Sequence, residues 1–143
     1  MISINEISNI FKRALNNNDL LGSEYESIVF YNLSMLKEKV NIVQELFPKD
    51  TINAVAIKAN PARQVLSFLA SLGVGFEASS LPEIHMAVNA GVSPCNIVFD
   101  SPAKTIEELD YALDLGVHVN ADSIMELARI DQILETKKSN STF

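Results

Sequence analysis

A chain of 143 residues that is 48% hydrophobic and 20% charged, with only five Gly and five Pro, can build a packed core; this excludes a disordered tail or a fibre. Eleven basic against eighteen acidic side chains leave a net charge of −7, which argues against nucleic acid as a partner, because that contact needs clustered Lys and Arg. The single cysteine, Cys95, excludes an internal disulfide framework and a multi-cysteine zinc site. No apolar run reaches the length of a bilayer span, and the N-terminus lacks a basic and apolar leader. A reducing, cytoplasmic setting with no membrane partner is therefore expected.

Residues 1–25 read as a helical lead-in. Ile4, Ile7, Ile10, Phe11 and Leu15 recur at helical spacing, which predicts a surface helix packed on something else. Asn16-Asn17-Asn18-Asp19 and then Gly22 break the pattern. From residue 26 to 143 a different rhythm holds. Short β-rich runs begin near Ile28, Asn53, Val74, Asn96 and Val117, 21–25 residues apart. Between them, periodicity predicts helices over 34–47, 61–72, 81–90, 104–115 and 123–134. Asn60 before Pro61 predicts an N-cap with Pro at the first helical position. Gly73, Gly91 and Gly116 stand where helices should stop. Ser80 with Glu83, and Ser123 with Glu126, supply capping residues and an early glutamate that suits the helix dipole.

Strands alternating with helices at this spacing predict βα units and a mainly parallel sheet. Val55 and Ile57 oppose Ala54, Ala56 and Lys58. Val74, Phe76 and Ala78 oppose Gly75, Glu77 and Ser79, and Val117 and Val119 oppose His118 and Asn120. One face is bulky and apolar, the other small or polar. An open sheet covered by helices on both sides would be apolar on both faces, so the expectation is a (β/α)8 barrel. Such a barrel needs eight units and about 250 residues. About five units are present, so the chain reads as a truncated barrel, expected to be inactive alone and to leave sheet edges open.

Lys58 stands at the C-terminal end of its strand, on the small-residue face. Active sites of parallel barrels form at that end, and a lysine there can act as an amine nucleophile that forms a Schiff base. A solvated surface lysine is the plainer alternative. Glu77 faces inward one unit later and needs a cationic partner, although an ordinary ion pair would explain it as well. Glu83 could orient groups at the same mouth, but its place near a helix N-terminus already accounts for it. His85 and His118 have no companions at ligand spacing, so no metal site is expected. Cys95 has no Cys-x-x-Cys partner. Gly73-Val74-Gly75 precedes a strand instead of joining strand to helix, the wrong context for a dinucleotide fingerprint.

From about Glu26 to Leu134 the chain resembles the barrel domain of the pyridoxal-phosphate-dependent decarboxylases of ornithine, diaminopimelate and arginine, with the alanine-racemase-type fold. Four stretches carry the resemblance. They are Ala54-Val55-Ala56-Ile57-Lys58-Ala59-Asn60, Gly73-Val74-Gly75-Phe76-Glu77-Ala78-Ser79-Ser80 with Glu83-Ile84, Ile97-Val98-Phe99-Asp100-Ser101-Pro102-Ala103-Lys104, and Asn120-Ala121-Asp122-Ser123 with Glu126-Leu127. The resemblance implies that Lys58 bears pyridoxal 5'-phosphate as a Schiff base. It implies that Glu77, where the family usually has Asp, and Glu83 lie at the cofactor. It further implies an amino-acid substrate, a homodimer for the full-length protein, and a phosphate loop, a ring-stacking histidine and a β-rich second domain downstream of Phe143. An amino-acid racemase or a cofactor carrier on the same barrel, and a non-catalytic interaction fragment, stay open as alternatives.

Overall fold

The computed structural model describes residues 3–17 and 29–143. Contacts divide the chain into two units, 1–32 and 33–143. The first unit carries helix α1 (Ile4–Asn16). Its start is a reciprocal cap: the Glu6 N–H donates to the Ser3 hydroxyl at 3.2 Å, and the Ser3 N–H donates to the Glu6 carboxylate at 2.7 Å. Those bonds from Ser3, backbone first, hold the Glu6 carboxyl below its ordinary value. Gly22 and Ile28 lie outside the described residues. The rest of the strand expected near Ile28 does not form, since Val29–Tyr31 belong to no ladder. A β-rich tripeptide has little strand preference of its own until a neighbour pairs with it.

The second unit follows the predicted rhythm closely. Helix α2 (Leu33–Leu46) leads into β1 (Ala54–Ala56), α3 (Arg63–Ser71), β2 (Gly75–Ala78), α4 (Leu81–Asn89), β3 (Ile97–Asp100), α5 (Ile106–Leu115), β4 (His118–Asn120) and α6 (Ile124–Leu134). The four strands pair in parallel in the order β1-β2-β3-β4. Each crossover therefore steps the same way along the sheet. Crossovers of one hand that never reverse direction place their helices on one side, which is the arc of a barrel and not a doubly wound sheet. The fold class is thus a partial (β/α)8 barrel, with four of its strands among the described residues.

The alternation read from the sequence has its expected consequence in β2, β3 and β4 but not in β1, where Val55, expected on the covered face, is 36% exposed at the end of the sheet. Phe76, Ala78, Ile97, Phe99, Val117 and Val119 are fully buried under the helices, against Ile84, Leu109 and Leu113. Each large apolar side chain so removed from water contributes roughly 1.5–3 kcal/mol. The register lines Ala56, Glu77, Val98 and His118 in one row across the opposite face. Gly73, Gly91 and Gly116 all take positive φ, at 77°, 96° and 82°. Gly75 meets a different constraint: a Cβ there would lie 2.4 Å from the Asn96 carbonyl oxygen.

One capping expectation is corrected. Helix α3 starts at Arg63, with Ala62 and not Asn60 at its N-cap. Pro61 disfavours a helical residue before it, and Asn60 is extended at φ −161°. Its side-chain oxygen instead accepts the Ala62 N–H at 3.1 Å in a local turn. At the far edge, the Val119 N–H donates to the Thr142 carbonyl at 2.9 Å, so the tail runs beside β4. Lys137 anchors that tail at 2.6 Å from both Asp110 and Asp114 of α5. Burial lowers the Lys137 pKa, but the two aspartates outweigh it and the group ends above its ordinary value.

Candidate active site

Lys58 does not lie in the strand itself. β1 stops at Ala56, and a 3₁₀ turn over Ile57–Ala59 carries the lysine beyond its C-terminal end. The turn buries Ile57 completely and leaves the Lys58 side chain 63% exposed. The ladder bonds Ala56 to Glu77 as neighbours across β1 and β2, so Glu77 stands one pleat below the lysine on the same inward face. Lys58 Nζ donates to Glu77 Oε1 at 3.3 Å. Two of the three sequence-derived site residues are thereby brought together at the C-terminal mouth of the sheet.

Glu83 goes elsewhere. From the first turn of α4 its Oε2 accepts both the Ser79 N–H at 2.7 Å and the Ser79 hydroxyl at 2.9 Å. Ser80, at the N-cap, makes no side-chain capping bond. Glu83 therefore fixes the loop that leaves β2 just past Glu77. His118 continues the inward row beside Val98 and bonds through Nδ1 to the Thr142 hydroxyl. His85 lies on the outer surface, with Nδ1 3.3 Å from the Tyr111 hydroxyl. Cys95 is exposed.

A second lysine lies at the same end of the sheet. Lys104, in the loop between β3 and α5, has a fully buried side chain. Its amine donates to the Ser101 carbonyl at 2.7 Å, the Asn120 carbonyl at 2.8 Å and Glu126 Oε2 at 2.7 Å, using all three N–H bonds. The Phe99 ring lies 5.5 Å away. Glu126, read from the sequence as an early-helix glutamate, also accepts the Asp122 N–H at 2.9 Å. Burial pushes the Glu126 carboxyl up, but the bonds from Lys104 and Asp122 prevail and hold it below its ordinary value.

The exposed amine of Lys58, with the Glu77 carboxylate beside it and the small Ala56 at the end of β1, suits a cofactor that presents an aldehyde. The three donors of Lys104 are already committed, and its side chain is closed to solvent. Among the described residues, no helix is long and apolar enough to cross a membrane.

The sequence model of one family, described as pyridoxal-dependent decarboxylase, pyridoxal binding domain, matches residues 33–140. Diaminopimelate decarboxylase of Helicobacter pylori strain J99 is 34% identical over 108 residues, 74% of this chain and 27% of that protein. Antizyme inhibitor 1 of Mus musculus is 41% identical over 75 residues, 52% of this chain and 17% of that protein. The crystal structure of Helicobacter pylori diaminopimelate decarboxylase complexed with L-lysine matches with a TM-score of 0.76 at 31% identity, covering 85% of this chain and 31% of that one. The chain therefore spans less than a third of the length of these relatives.

Proposed function

The chain belongs to the pyridoxal-dependent decarboxylase family through its pyridoxal-binding domain, and from that premise we propose that it forms part of an amino-acid decarboxylase in which Lys58 holds pyridoxal phosphate. The observation that carries this reading is the exposed Lys58 amine at the C-terminal mouth, 3.3 Å from Glu77. Lys58 supplies the attacking amine and Glu77 a negative charge that orients it. Glu83 acts at one remove, holding Ser79 and so the end of the strand that presents Glu77. When bound, the cofactor supplies an electron sink for the pair left behind as carbon dioxide departs. The substrate is an amino acid with a second charged end, of the ornithine, arginine or diaminopimelate type. The protein acts in the cytoplasm as a homodimer.

In the full-length protein loaded with pyridoxal phosphate, borohydride reduction and peptide mapping should place the label on Lys58. A label on Lys104 or another lysine overturns the assignment. Carbon dioxide release from meso-diaminopimelate, ornithine and arginine then identifies the substrate. The likeness to antizyme inhibitor 1 favours a second reading, since that name describes an inhibitor and not a decarboxylase. Absence of both label and carbon dioxide release would favour it.

A further inference from the structure

Lys104 and Glu126 form the most deeply buried ion pair among the described residues, and the proposed chemistry does not use it. The pair ties together the β3–α5 loop, the end of β4 and the start of α6. Lys104 itself belongs to the β3–α5 loop and ties the Ser101 carbonyl within that loop. Its second bond takes the Asn120 carbonyl at the last residue of β4. Its third takes Glu126 in the first turn of α6. Glu126 in turn takes the Asp122 N–H, while its own N–H donates to the Ser123 hydroxyl at 3.2 Å. Arg129, one turn further along α6, donates to the Lys104 carbonyl at 3.3 Å. Both strand ends also carry polar residues on the inward side, since Asp100 and Asn120 are ladder partners that follow Phe99 and Val119, which are buried under the helices.

Burying two charges is costly, and their mutual attraction commonly does little more than recover that cost. Three well-placed donors on one buried amine give something an apolar contact cannot, which is a fixed direction for each strand end. We propose that Lys104 and Glu126 are positioning residues, a buried clamp that fixes the ends of β3 and β4 and the start of α6, and with them the inward reach of Asp100 and Asn120, with little net gain in stability. The inference rests on the decarboxylase reading only for what that rim serves.

The test uses the full chain without cofactor. Lys104→Met, Glu126→Leu and the double variant are compared by thermal unfolding and by amide hydrogen exchange. Either single change should lower the unfolding temperature. The double change should recover most of that loss, yet the amides of residues 101–105 and 120–123 should exchange at least about tenfold faster than in the wild type, with α3 and β2 unaffected. Rim protection equal to wild type in a stable double variant would overturn the proposal. So would a double variant as unstable as the two singles combined, because the pair would then be a source of stability. Glu126→Asp keeps the charge but shortens its reach by one methylene, and covers the case in which the double variant does not fold. It should loosen the same amides, and wild-type exchange there would also overturn the proposal. None of these measurements involves Lys58, so their outcome and that of the borohydride label are independent.

Discussion

Lys58 and Lys104 each donate to a glutamate at the C-terminal side of the same sheet, yet their surroundings are opposite. The Lys58 side chain is 63% exposed and its bond to Glu77 is 3.3 Å, whereas Lys104 is closed to solvent and lies 2.7 Å from Glu126. Lys104 has a partner for every N–H. A lysine so enclosed holds structure and is closed to any incoming group, while a lysine on an open turn can be reached. Exposure and hydrogen-bond count, more than the presence of a nearby acid, separate the lysine a cofactor could reach from the one that ties chain segments together.

The sharpest way to break this contrast is to exchange the chemistry of the open lysine. Lys58→Arg in the full-length, cofactor-loaded protein should reduce turnover to background, because a guanidinium stays protonated and cannot form the imine. Without cofactor, the same change should shift stability by no more than about 0.5 kcal/mol, as for most exposed sites. Turnover near wild type would show that another group carries the cofactor. The enclosed lysine should respond the other way round. Lys104→Met leaves Glu126 buried without its partner, and the loss of stability should be about 3–5 kcal/mol by urea titration. A loss below about 1 kcal/mol would show that Glu126 finds water or another partner.

Acid sharpens the contrast further. Glu126 has a folded-state pKa below its unfolded value. Its pairing therefore contributes stability that is fully present above the unfolded pKa of about 4.3 and is lost as pH falls through the lower folded value. The wild-type urea midpoint should fall over that window. In the variant carrying both Lys104→Met and Glu126→Leu it should fall less, and identical acid profiles would remove Glu126 from the response.

Much of this arrangement could be read from the sequence. Four of the five predicted strand starts fall within one residue of the observed ones, at Ala54, Gly75, Ile97 and His118, because alternating burial leaves a period of two wherever one face meets helices. The inward place of Glu77 was legible for the same reason, whereas Lys58, expected at the end of its strand, lies in the 3₁₀ turn beyond it, where strand alternation no longer applies. The start of α3 was not legible, because Asn60-Pro61 encodes either a cap or a turn, and only the extended backbone at Asn60 decides between them. Nor was the Lys104–Glu126 clamp. Its two members are 22 residues apart, in a loop and a helix turn where a charged residue is ordinarily solvated. The expected barrel already sets β3 beside β4, but nothing in local periodicity reports that the lysine of the loop after β3 turns in towards the end of β4 and the start of α6.

The smallest stability effect belongs to the acid of the open pair. Glu77 is itself largely covered, its side chain 18% exposed, but the lysine it meets is in water. A pair with one solvated member gains little, so Glu77→Gln should cost no more than about 1 kcal/mol in stability. Gln keeps the shape and can still accept a bond from Lys58, but it removes the charge. If that charge orients the reactive amine, turnover in the loaded full-length protein should fall while the unfolding midpoint scarcely moves. If Glu77 only fills its place in the sheet, both should stay at wild-type values. Measured side by side with Glu126→Gln, which buries an amide against a buried ammonium and should lower the midpoint strongly, the variant asks whether the two carboxylates differ as their lysines do. A large stability loss in Glu77→Gln would show that the inward face is more enclosed than the exposure of Lys58 indicates, and the distinction between an open and a closed pair would no longer hold.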